Sequence, residues 1–208
     1  MRVLALAVVI CGMTAAVTAG QRAASSAKAP GTRVSTANTC AASLGVGLKS
    51  KRTFCDVIIA KAPRDSVAMV IPPHAGPVTL MFDLHNRFTL PTVAGATVLA
   101  FARHQAIVNI VKPNGDVLSR AAVVREFRTA ADLFDQITGG GRPGGVKAVG
   151  PGPAEAVRIT IPADLNSIGI VGARLQTFTR LGGDEVFETP GRPVAIVSNL
   201  RLEYHPAR

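Results

Sequence analysis

The sequence predicts an all-β protein: an antiparallel β-sandwich, jelly-roll-like, with one short α-helix near residues 130–137. Three observations lead there. From Phe54 onward, short apolar runs rich in β-branched residues recur between Pro and Gly breakers, a composition that favours strands. Several runs alternate with period two, so that one face of each is buried and the other meets water. Tight-turn signals of the Asn-Gly and Pro-Gly kind join them.

Taken in order, the chain opens MRVLALAVVICGMTAAVTAGQ. Arg2 and the free amine precede an apolar run reaching about Val17, and Val17-Thr18-Ala19 supplies the small side chains a signal peptidase accepts. Residues 1–19 are therefore expected to be a signal peptide cut after Ala19, giving a secreted or periplasmic protein with no transmembrane span after processing. The run is short against the ~20 residues that cross a bilayer. Ile10 is too bulky to precede a lipid-modified Cys11. Once Cys11 is removed, Cys40 and Cys55 are the only thiols. An oxidising compartment makes them a disulfide, whose loop closure stabilises by about 3 kcal/mol.

Residues 20–52 are rich in Ala, Ser, Thr and Gly and lack large side chains, which predicts a basic linker with too little apolar surface to offset its ordering entropy. Its bases are Arg22, Lys28, Arg33, Lys49, Lys51 and Arg52, and it holds no acid. The chain's net charge of +10 is thus concentrated there, and removing those six bases and Arg2 leaves residues 53–208 at +3. An arm of this kind can grip an anionic surface. It carries no aromatic residue, so specific nucleic-acid binding by base stacking is not expected.

Residues 53–208 form the sandwich domain. Its strand candidates are CDVIIA (55–60), VAMVI (67–71), VTLMFDL (78–84), ATVLAFARHQAIVNIV (96–111), VRITI (157–161), ARLQTFTR (173–180) and VAIVSNLRLEY (194–204). Val157, Ile159 and Ile161 alternate with Arg158 and Thr160, as Leu200, Leu202 and Tyr204 do with Asn199, Arg201 and Glu203. Lys112-Pro113-Asn114-Gly115-Asp116 turns the chain toward VLSRAAVV, Gly182-Gly183-Asp184 toward VFET, and Pro190-Gly191 into the last strand. In RTAADLFDQITGGG, Thr129 caps a helix whose apolar residues Phe127, Ala131, Phe134 and Ile137 recur at spacings of four and three, with Gly139 at its exit.

The glycine-rich loop 138–153, TGGGRPGGVKAVGPGP, contains Gly139-x-Gly141-x-x-Gly144, the spacing of a dinucleotide fingerprint. A phosphate cradle needs the glycines to precede a helix, so that N–H groups and the positive dipole end face the anion. Here the helix comes first and its carbonyl end faces the run. The segment reads as a helix exit and surface loop, with no nucleotide cofactor implied.

Other chemistries are equally poorly supplied. His74, His85, His104 and His205 show no metal-ligand spacing, and no Gly-x-Ser-x-Gly elbow occurs. Asp184, Glu185 and Glu188 crowd one turn rather than facing each other, as paired glycosidase carboxylates must. With no Trp, one Tyr, and phenylalanines expected mostly in the core, carbohydrate binding by ring stacking is weakly supported, while hydrogen-bonding recognition in a cleft stays open. The best cluster is Asp83-Leu84-His85-Asn86-Arg87, which on a strand puts Asp83, His85 and Arg87 on one face. Asp83 could then orient His85 while Arg87 offers a carboxylate clamp. Together with His104 these are the candidate catalytic residues, although alternation alone also predicts an ordinary charged outer face there. No cofactor or metal site is expected. The sequence favours an exported, non-catalytic binding or structural module with an unknown envelope or extracellular ligand. A secreted enzyme with a dispersed site, or an anionic-surface binder acting through the arm, are the alternatives.

Overall fold

The computed structural model describes residues 32–35, 38–47, 50–60, 65, 67–87, 102–127, 151–179 and 184–207. They form two antiparallel sheets packed face to face, the sandwich that the alternation predicts. In the first sheet β3 (Ser43–Val46), β4 (Thr53–Ile58), β12 (Pro193–Tyr204), β6 (Val78–Asn86) and β9 (Ala154–Ile161) lie in that order. A further strand, β1 (Thr32–Ser35), also pairs with β12. The second sheet runs β2 (Asn38–Cys40), β5 (Val67–Val70), β10 (Ser167–Thr179), β7 (Ala102–Val111) and β8 (Val117–Phe127), with β11 (Glu185–Phe187) also on β10.

Alternation decides which side chains meet between the sheets. Leu80, Phe82 and Leu84 of β6 point inward with Val197 and Leu202 of β12, against Ala106, Val108 and Ile110 of β7 and Ile168, Ile170 and Leu175 of β10. The hairpin between β7 and β8 turns at Asn114-Gly115 as read from the sequence. Gly115 takes φ 92°, the left-handed backbone such a turn needs, and its N–H donates to the Lys112 carbonyl at 2.9 Å. At one corner the sheets touch through a parallel bridge between Ile59 and Gly172. A Cβ at Gly172 would lie 2.9 Å from the backbone of Ile58 and Ile59, so only glycine permits this approach.

Two expectations change. The stretch 20–52, read as a linker, contributes β1, β2 and β3, which join both sheets. Edge strands are held by backbone hydrogen bonds to a neighbour and need few apolar side chains, which is why a composition test misses them; every residue of β3 is exposed. Cys40 of β2 pairs with Cys55 of β4, Cα atoms 5.7 Å apart, so the bond staples one sheet to the other. Second, of the phenylalanines with described side chains only Phe82 is fully in the core. Phe178 and Phe187 instead carry Arg103 and Arg192 over their rings, at 4.3 and 3.6 Å. The expected signal peptide, the helix near 130–137, and the glycine-rich loop up to residue 150 lie outside the described residues.

Candidate functional site

The cluster singled out from the sequence sits on the outer face of the first sheet. Leu84 lies opposite Val197 in the core, so its neighbours Asp83 and His85 point outward. Across β4, β12 and β6 they belong to two rows: Asp56, Ile196 and His85 in one, Phe54, Ser198 and Asp83 in the next. Although the face is outward, Asp56, His85, Ile196 and Ser198 are all buried, Ser198 completely.

His85 bridges this surface. Its Nδ1 lies 2.9 Å from the Gly152 carbonyl and its Nε2 lies 3.0 Å from Ser198 Oγ. A carbonyl can only accept, so Nδ1 carries the proton and donates it, and Nε2 accepts from the Ser198 hydroxyl. The Phe54 ring meets the imidazole edge-on, centroids 5.7 Å apart. Burial pushes the His85 pKa below its usual value; the Gly152 hydrogen bond and the Asp83 charge oppose that shift, and Arg125 and Arg52 add to it. Gly152 closes the glycine-rich loop, so the loop's end and His85 do converge.

A serine hydroxyl on an imidazole nitrogen is the geometry of an activated nucleophile. Here the third member is a neutral carbonyl rather than a carboxylate, the imidazole is a weakened base, and Ser198 has no exposed surface for a substrate to reach. The pair acts as a polar strut between β6, β12 and the start of β9.

The remaining candidates take separate partners. Asp83 does not orient His85; its Oδ2 accepts from Arg52 Nη1 at 2.8 Å and from Asn199 Nδ2 at 3.1 Å. The Arg87 guanidinium lies 3.4 Å from buried Asp56 Oδ1, which has no hydrogen-bond partner among the described residues. Burial raises the Asp56 pKa, and Arg87 partly offsets this. His104 belongs to the second sheet and points into the core end, where Thr177 Oγ1 lies 3.5 Å from Nδ1 and its carbonyl accepts from Asn86 Nδ2 at 3.2 Å. Burial lowers its pKa too. Asp83, His85 and Arg87 therefore share a face, whereas His104 does not join them. Among the described residues no group of His, Cys, Asp and Glu could hold a metal ion.

Beside this closed row lies an open one. A cleft of about 310 Å3 is lined by Asn38, Lys51, Arg52, Thr53, Asn199, Leu200 and Arg201. It forms where β4 ends its pairing with β12 at Ser198 and β1 begins at Arg201; Asn199 and Leu200, between them, are in register with no residue of β1, β4 or β6. Lys51 and Asn199, the two non-glycine residues with positive φ among those described (55° and 56°), both line it. A short turn holds the Lys51 side, with Lys51 N donating to the Gly47 carbonyl and Gly47 N to the Arg52 carbonyl, each at 2.9 Å. Of the six arm bases, Arg22, Lys28 and Lys49 are outside the described residues and the Arg33 side chain is not described, while Lys51 and Arg52 meet Arg201 here.

Ser198, Gly152, Asp56 and Arg201 were not singled out by sequence reasoning. The one available signal was Ser198-Asn199, a polar interruption in the otherwise apolar first half of VAIVSNLRLEY. The fold and these sites define an antiparallel, disulfide-stapled two-sheet sandwich. Comparison with protein-family models, curated proteins and solved structures finds no match.

Proposed function

We propose that the protein is an exported, non-catalytic binding or structural module of the cell envelope or the extracellular space. The observation that carries this reading is the closed state of the only serine–histidine pair among the described residues: Ser198 is fully buried and both imidazole nitrogens of His85 are already engaged. A satisfied polar pair inside a sheet rigidifies a scaffold, and a hydroxyl with no exposed surface is out of a substrate's reach. Export is supported by the leader-like residues 1–19 and by the inter-sheet cysteine pair, which suits an oxidising compartment. Among the described residues no helix is long and apolar enough to cross a membrane.

Mass spectrometry of the protein purified from its native host tests this. The expected species begins at Gly20, give or take a few residues, and resists thiol alkylation until reduced. A chain retaining Met1 with all three thiols, Cys11, Cys40 and Cys55, open to alkylation without reductant would overturn the reading.

The anionic-surface alternative also gains from one feature: Lys51 and Arg52, the last two bases of the arm, line the open cleft together with Arg201. Under that reading the folded edge, and not the arm alone, makes the contact.

A further inference from the structure

Resting on the reading of the protein as a binding module, we propose that the cleft between the β3–β4 turn and the β12 bulge is a site for a phosphate monoester, held by Lys51, Arg52 and Arg201. The cleft exists because two strands meet end to end along β12, and the strand bulges at Asn199-Leu200 in the gap between them. A gap in a sheet edge normally invites collapse by the adjoining side chains. Here three cations line it instead, and about 310 Å3 stays open. That volume sits at the small end of the range for ligand sites.

The backbone is held in costly conformations to keep the cleft so. Left-handed φ is mild for Asn199 and unfavourable for Lys51, and such residues persist where the surrounding structure over-determines them. Asp83 supplies part of that determination from beneath, since its Oδ2 accepts from both Arg52 and Asn199. A guanidinium has five N–H donors in a fixed fork, so one bond to Asp83 orients Arg52 and leaves the others for a ligand.

Charge selects the ligand class. Among the described residues Arg52 alone of the three cations has a carboxylate within ion-pair distance. Counting Asp83 against Arg52, the site presents two positive charges. A carboxylate would neutralise one of them, whereas a phosphate monoester carries about −1.5 to −2 near neutral pH and three acceptor oxygens. The monoester can arrive as a soluble phosphorylated molecule or as the headgroup of an anionic lipid.

The test is calorimetric titration of the processed protein with inorganic phosphate at low ionic strength, beside sedimentation with vesicles. Lys51→Gln and Arg201→Gln are each expected to weaken phosphate binding about fivefold, and the double variant more than tenfold. Arg158→Gln, which removes a cation paired with Glu203 on β12, is expected to change nothing. Thermal melts confirm that the exposed substitutions leave the fold intact. Vesicles of phosphatidic acid, whose headgroup is a phosphate monoester, separate the sources: capture that the double variant loses marks a lipid headgroup, and phosphate binding without capture marks a soluble ligand. Absence of phosphate binding by the wild-type protein, or equal binding by the double variant, overturns the site. Equal capture of wild type and double variant by phosphatidic acid and phosphatidylserine alike, with no difference between them in phosphate binding, also overturns it. That last outcome would leave anionic-surface contact through the arm standing, and none of these results bears on the mass-spectrometric test of export.

Discussion

The row around His85 and the cleft around Lys51 are adjacent, joined through Asp83, and they have opposite characters. In the first, each polar atom of His85 meets a partner from the same chain, and Ser198 has no solvent exposure. In the second, Lys51, Arg52 and Arg201 face water along a gap in the sheet edge. The difference follows from burial. A polar group inside a sheet that fails to find an internal partner costs about 1–3 kcal/mol, which is why His85 and Ser198 close on each other. Asp56 in the same row is the exception, its Oδ1 lacking a hydrogen bond among the described residues and facing Arg87 at 3.4 Å instead. Exposed cations are hydrated at little cost and keep their capacity to bind something else. A candidate that looks catalytic by residue type can therefore be the structural one, while a neighbouring arginine with no motif keeps its donors open to the ligand proposed above.

Substitutions that break this contrast should differ in size. The largest effect is expected from His85→Ala, which removes a buried ring packed on Phe54 and strands the Ser198 hydroxyl and the Gly152 carbonyl. It should destabilise by about 3 kcal/mol in urea denaturation. A loss under about 0.5 kcal/mol would show the row is not closed. Reducing the Cys40–Cys55 pair that joins the two sheets should cost a similar amount, about 3 kcal/mol, read by the same titration with and without reductant.

Ser198→Ala is expected to cost about 1 kcal/mol, because the His85 Nε2 acceptor loses its donor while the ring stays in place. Acidification sharpens the same contrast. Burial lowers the folded pKa of His85 and His104 from the ordinary 6.5, so the folded state resists a proton that the unfolded chain accepts. Their contribution is complete above 6.5 and is lost as pH falls through 6.5 toward the lowered folded values. The melting temperature should fall over that window, and His85→Gln with His104→Gln should flatten the fall. Asp56 has the opposite sign. Its folded pKa lies above 3.8, so its contribution is complete below 3.8 and disappears as pH rises through the folded value; Asp56→Asn should remove that effect.

The smallest effect is expected in the cleft: Lys51→Gln or Arg201→Gln should move stability by less than about 0.5 kcal/mol. A larger loss would show that these cations hold the fold and are not held ready for a ligand.

How far the sequence could be read depended on whether a feature was local. Alternation in VRITI and LRLEY, and the Asn114-Gly115 turn, sufficed for strands, their buried faces and the β7–β8 hairpin, because side-chain direction and turn backbone follow from adjacent residues. Composition failed for β1, β2 and β3, since edge pairing rewards backbone hydrogen bonds that side-chain polarity does not report.

From the amino-acid order alone came an all-β sandwich, the pairing of Cys40 with Cys55, and Asp83, His85 and Arg87 on one face. Tertiary structure alone decided that His85 meets Ser198 and Gly152, separated from it by 113 and 67 residues, that Asp83 turns to Arg52, and that Arg201 completes a cationic cleft. The chain crosses between the sheets repeatedly, so most strands pair with distant segments. Local propensity sets which way a side chain points, but only the pairing of remote strands sets what it meets.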